Sequence, residues 1–115
     1  MKIGYLEIVT PDVVKTCALY ERAYGVCFTD PIPSLGNART VKLSDGGRLG
    51  IREPMRDSEL PVVRPYFVVE NVAAILSTIE ASGGQIAVPA MELPGEGICA
   101  IYLLGGIDHG IWQEI

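Results

Sequence analysis

Few side chains in this sequence could do chemistry, and their types narrow the options at once. There is one histidine, His109. A site built from several imidazoles within one chain is therefore excluded. The three cysteines, Cys17, Cys27 and Cys99, are odd in number and lack C-x-x-C spacing. They read as neither a disulfide framework nor a zinc cage. Their plain reading is buried, reduced thiols in a cytoplasmic protein. No Ser-His-Asp set, no phosphate loop and no H-E-x-x-H motif occurs.

What remains is a set of aromatic, acidic and arginine side chains in segments with strand character. Residues two apart on a strand share a face. Tyr5 and Glu7 then lie together, as do Arg64 and Tyr66, and as do Gly110, Trp112 and Glu114. Rings that stack, an arginine that pairs with an acid and a carboxylate that accepts donors suit a small organic molecule, aromatic or anionic. A plainer placement is open for each. Glu7 and Glu114 can sit exposed or pair with Arg48 or Arg52. Trp112, Tyr66 and Tyr102 can be core residues, Arg64 can be solvated beside Pro65, and His109 can lie on the surface.

The elements that must position these residues can be read in order. Ile3–Val9 is rich in β-branched and aromatic residues and reads as a strand. Asp12 is a candidate N-cap for a helix from Val13 to about Tyr24, with Val13, Cys17, Tyr20 and Tyr24 on one face and Gly25 as its terminator. Val26–Thr29, Ala38–Leu43 and Arg48–Glu53 supply about three further strands. Prolines at 54, 61 and 65 mark a linker over about 54–65. The second half opens with the strand Tyr66–Val69. Asn71 then caps a helix with the stripe Val72, Ile75, Leu76 and Ile79. Gln85–Val88 is a strand and Pro89–Gly97 a loop. Ile98–Leu104 and His109–Ile115 are the last strands.

Composition sets the frame. The chain has 115 residues, 49% hydrophobic and 20% charged, with a net charge of −5. This is one globular domain, large enough for a core. The basic residues are scattered among acids, so the face that nucleic acid or an anionic membrane requires is missing. No apolar run approaches the roughly 20 residues of a membrane span. No secretory signal is visible at the start.

The halves also repeat. Asp12 and Asn71 are 59 positions apart, as are Gly25 and Gly84, while Gly50-Ile51 and Gly110-Ile111 are 60 apart. Two copies of a β-α-β-β-β unit fit this spacing, with module 1 at about 1–55 and module 2 at about 62–115. Too few copies are present for a solenoid.

On Glu7–Asp12, Leu19–Gly25, Arg64–Val72, Glu80–Gly84, Leu93–Gly97 and Gly110–Gln113, the chain resembles the vicinal oxygen chelate superfamily of glyoxalases, bleomycin resistance proteins and extradiol dioxygenases. The resemblance spans essentially the whole chain. It implies an α+β fold in which two tandem βαβββ modules curl a mixed sheet around a cavity, within a homodimer. It implies that Tyr5, Glu7, Arg64, Tyr66, Trp112 and Glu114 face that cavity as ligand-binding residues. Metal-dependent members place ligands on the first and last strand of each module. Those positions here are Tyr5, Gly50, Arg64 and Gly110. None suits a zinc, nickel or iron site, since arginine has no lone pair to donate and glycine has no side chain. If Asp108–Gly110 formed the turn instead, Glu114 would take the last-strand position, and Glu53 its counterpart. The expectation is therefore metal-independent binding of a small molecule, with no cofactor, no nucleic acid and no membrane partner. The alternative is a lyase, isomerase or dioxygenase using one divalent metal ion.

Overall fold

The computed structural model describes residues 1–115. It is an α+β fold of seven strands and two helices: β1 (Ile3–Val9), α1 (Val13–Tyr24), β2 (Arg39–Lys42), β3 (Arg48–Arg52), β4 (Val62–Val68), α2 (Val72–Ala81), β5 (Gln85–Leu93), β6 (Gly97–Leu104) and β7 (Ile107–Gln113). The chain divides into two compact units. One is Tyr5–Val63; the other is Arg64–Ile115 together with Met1–Gly4. The first residues join the second half because Val68 donates its N–H to the carbonyl of Lys2 at 2.9 Å. No helix is long and apolar enough to cross a membrane.

In the N-terminal unit β3 is flanked by β1, parallel to it, and β2, antiparallel. Leu49 and Ile51 of β3 pack with Val13 and Cys17 of α1 and with Phe28, and Leu6 and Ile8 are among the residues packed against them. Burial pushes the Cys17 thiol pKa up. The intervening residues Tyr5, Glu7, Gly50 and Arg52 belong to the other face by strand alternation.

Two expectations change here. Val26–Thr29 is not a strand. Phe28 donates its N–H to Glu21 Oε2, and Thr29 donates to the carbonyl of Thr40, each at 2.9 Å. The segment is tied to the helix at one point and to β2 at the next, so no ladder develops. Two strands, not three, follow α1, with Ile32 and Ala38 forming an isolated bridge around a 3-10 turn. Cys27 in this segment is exposed, not buried as expected, whereas Cys17 and Cys99 are buried.

In the C-terminal unit the order is β4-β7-β6-β5, with β4 parallel to β7 and the other pairs antiparallel. Val72 and Leu76 of α2 pack on Ala100 and Ile111. Pro89 was expected to start a loop, yet β5 runs through it to Leu93. The strand lies at the unit's edge and breaks register between Ile86 and Val88 and again between Val88 and Met91. Edge strands and bulges are where a residue lacking an N–H is tolerated.

The two helix starts differ. Asn71 accepts the N–H of Ala74 on its side chain at 3.0 Å, as expected, and Gln113 Oε1 accepts from Val72 at 3.0 Å. Asp12 makes no side-chain cap; its own N–H donates to Thr10 Oγ1. Asn71→Ala is therefore expected to cost about 1 kcal/mol, and Asp12→Ala less than half of that. Urea unfolding of the two variants checks this, and equal losses would contradict the cap assignment.

Candidate functional site

Each unit turns one face of its central strands toward its helix. The candidate residues sit on the other face. In the N-terminal unit Tyr5, Glu7 and Arg52 are 4%, 6% and 5% exposed. Charges this deeply buried are stable only when paired. Arg52 Nε donates to Glu7 Oε2 at 2.8 Å. Its two terminal nitrogens grip Glu59 side by side, at 2.9 and 2.7 Å, and one of them also donates to the carbonyl of Glu53 at 3.0 Å. Burial works against the guanidinium charge. Hydrogen bonds and attraction from Glu59 and Glu7 outweigh it and hold the Arg52 pKa above its ordinary value. Of the two arginines open to Glu7 from the sequence, Arg52 bonds it directly. Arg48 lies 5.8 Å from the centre of the Tyr5 ring, within cation–π range. Gly50 sits opposite Glu7. A Cβ there would overlap the Tyr5 hydroxyl and ring.

The C-terminal unit repeats this layout with different chemistry. Tyr66 sits opposite Gly110. A Cβ on Gly110 would meet the Tyr66 ring at 2.6 Å and the Pro65 carbonyl at 2.8 Å. Tyr66 and Trp112 meet edge to face, with ring centres 5.7 Å apart. Arg64 is 6% exposed and reaches Asp108 at 3.5 Å. The Leu93–Gly97 segment seats the indole: Trp112 Nε1 donates to the Glu96 carbonyl at 3.1 Å, and Gly97 adopts φ +130° close against it.

The correspondence is residue by residue at the spacing of the repeat. Glu7 matches Tyr66, Arg52 matches Trp112, Tyr5 matches Arg64 and Arg48 matches Asp108. An ion pair in one unit, Glu7–Arg52, stands where the other has an aromatic pair, Tyr66–Trp112.

Five of the six expected residues are therefore buried on these faces: Tyr5 and Glu7 in one unit, Arg64, Tyr66 and Trp112 in the other. Glu114 is not among them. The turn is at Gly105-Gly106, Gly110 is inside β7, and Glu114 lies exposed beyond the strand's end. Glu53 is exposed as well. His109 is half-buried on the helix side of β7, stacked on Tyr102 with ring centres 4.9 Å apart. Arg52 and Glu59 were not expected as site residues. Arg52 had a signal, since it stands 60 positions before Trp112. Glu59 had none, because it comes from the linker.

No protein-family model matches the sequence, and no curated protein does. Solved structures do match. A hypothetical protein from Bacillus halodurans C-125 superposes with a TM-score of 0.79 at 10% identity, over 99% of this chain and 94% of that one. An NAD-dependent benzaldehyde dehydrogenase from Legionella pneumophila gives 0.69 at 13% identity, over 96% and 98%. Methylmalonyl-CoA epimerase from Mycobacterium tuberculosis, a vicinal oxygen chelate protein, gives 0.77 at 11% identity, over 98% and 87%. This chain has the glyoxalase/bleomycin resistance fold. Identities this low carry the fold alone. The glyoxalase/bleomycin resistance neighbours bear the names of an epimerase and a dehydrogenase, so the fold does not choose a reaction.

Proposed function

We propose that the protein binds a small organic molecule without a metal, in the manner of the drug-sequestering proteins of this fold, and that it does so as a homodimer. The observation that carries this reading is the chemistry of the two buried faces. The positions at which metal-dependent relatives would place ligands hold Tyr5, Gly50, Arg64 and Gly110. The space beside each glycine is filled by a tyrosine ring. Glu7, opposite Gly50, accepts from Arg52. No three His, Cys, Asp or Glu side chains gather as a ligand set. The buried guanidinium of Arg64 would repel a cation and attract an anion. The buried aromatic pair Tyr66–Trp112 favours a flat ligand.

Trp112 is the sole tryptophan, so its fluorescence reports on this face directly. Titration with small aromatic acids is expected to change its emission, and Trp112→Phe is expected to weaken those ligands. Arg64→Ala should weaken anionic ligands by about 1.5–3 kcal/mol and leave neutral ones unchanged. Equal losses for both classes would contradict the assignment. Metal analysis of the purified protein is expected to find no stoichiometric ion. One zinc, nickel, iron or manganese per chain would overturn this reading in favour of a metal-dependent lyase, isomerase or dioxygenase. Sedimentation tests the dimer.

A further inference from the structure

The Arg52–Glu59 pair has the geometry of a bound ligand. Arginine recognises a carboxylate by two parallel N–H···O bonds, and Glu59 occupies that fork at 2.9 and 2.7 Å. It arrives from the linker, not from a strand. Between Glu53 and Pro61 every residue except Pro54 and Glu59 is exposed. Met55 and Leu60 are 64% and 76% exposed, so this segment buries little apolar surface. Besides the Arg52 fork it makes local bonds: Glu59 N–H to the Arg56 carbonyl at 3.0 Å, Arg56 Nε to Ser58 Oγ at 3.1 Å, and Met55 N–H to Glu59 Oε1 at 2.7 Å. Segments with few buried contacts open at low cost. An open pocket of about 520 Å³ lies against it, lined by Pro11, Glu53, Met55, Arg56, Glu59 and Pro61 among others. That volume falls in the range of small-molecule sites.

We propose that Glu59 is a built-in occupant of a carboxylate-binding site, and that an anionic ligand entering from this pocket displaces it from Arg52 and releases the 54–61 segment. The charge balance favours exchange over addition. Arg52 already faces two carboxylates, Glu7 and Glu59. A ligand carboxylate that replaces Glu59 leaves the buried charge as it was, while Glu59 moves into water. Adding a third carboxylate would bury an uncompensated charge. Glu7 stays on Nε throughout and holds the guanidinium plane in place. This deepens the small-molecule reading by naming a ligand class and a mobile element, and it concerns the N-terminal unit, whereas the Trp112 test reads the C-terminal one.

A competitor that keeps the site closed lowers apparent affinity by the fraction of time the site is open. A latch closed nine-tenths of the time or more masks at least tenfold. The test uses benzoate as the probe, with benzamide as the neutral control. By calorimetry, Glu59→Gln is expected to bind benzoate at least tenfold more tightly than the natural chain, and Arg52→Lys to lose that binding because an ammonium cannot offer the fork. A second readout needs no variant. Trypsin cleavage after the exposed Arg56 of the natural chain should accelerate in benzoate and not in benzamide. Equal benzoate affinity with and without Glu59, or a cleavage rate indifferent to benzoate, overturns the exchange. Either failure leaves the Trp112 titration standing, so the two readings fall separately.

Discussion

Arg52→Ala is expected to lower stability by about 3–5 kcal/mol, the cost of breaking a buried ion pair. The loss comes chiefly from Glu7. Glu59, the other carboxylate on Arg52, is attached to an exposed segment and can turn to water, but Glu7 projects from the middle of β1 at 6% exposure and cannot. Without the guanidinium it loses a charged partner at 2.8 Å while staying buried. A double variant, Glu7→Gln with Arg52→Met, removes both charges and keeps much of the volume. It should recover at least half of the loss, as happens when a buried pair is replaced whole. Urea midpoints at constant slope read both quantities. A loss below about 1 kcal/mol for Arg52→Ala would mean that the pair behaves like a surface one and that the burial assigned to it is wrong.

Gly50→Ala is the second large effect. The added methyl has nowhere to go, since it would overlap the Tyr5 ring while Thr40 and Glu7 flank the position on the neighbouring strands. Overpacking of this kind costs about 1–3 kcal/mol. The cause is a side chain and not the backbone, because Gly50 has no positive φ. The cost should therefore fall by at least half in a Tyr5→Leu background, which removes the ring. Additive losses would instead indicate that the strand itself rejects any side chain there. Gly110 provides the contrast. Its Cβ would meet the Pro65 carbonyl as well as the Tyr66 ring, so trimming Tyr66 should rescue Gly110→Ala only in part.

Both glycines show what the repeat made legible. Their spacing of 60 alone places them on equivalent strands, and both occupy the same register opposite Glu7 and Tyr66. Helix α2 and its Asn71 cap were equally readable, because a cap and an apolar stripe are local signals. The Val26–Thr29 segment was not. Its composition suits a strand, but a strand needs a run of ladder bonds, and here one backbone N–H goes to the Glu21 side chain and the next to Thr40. Asp12 misled for a similar reason. A residue type permits a cap, and the competing bond to Thr10 decides whether it forms.

Residue order alone determined the α+β class and the doubled spacing of 59 and 60, and it singled out six residues, of which five lie buried. Those follow from periodicity, which each strand and helix expresses over a few neighbouring residues. The tertiary structure alone decided that Arg52 bonds both Glu7 and Glu59, that Glu114 stays outside, and that the linker sends Glu59 back onto the strand. These depend on contacts between residues distant in sequence: Arg52 and Glu7 are 45 positions apart. No local pattern encodes which carboxylate reaches a buried guanidinium first. That choice is made by burial, which penalises every charge left without a partner and so selects the pairing that leaves none.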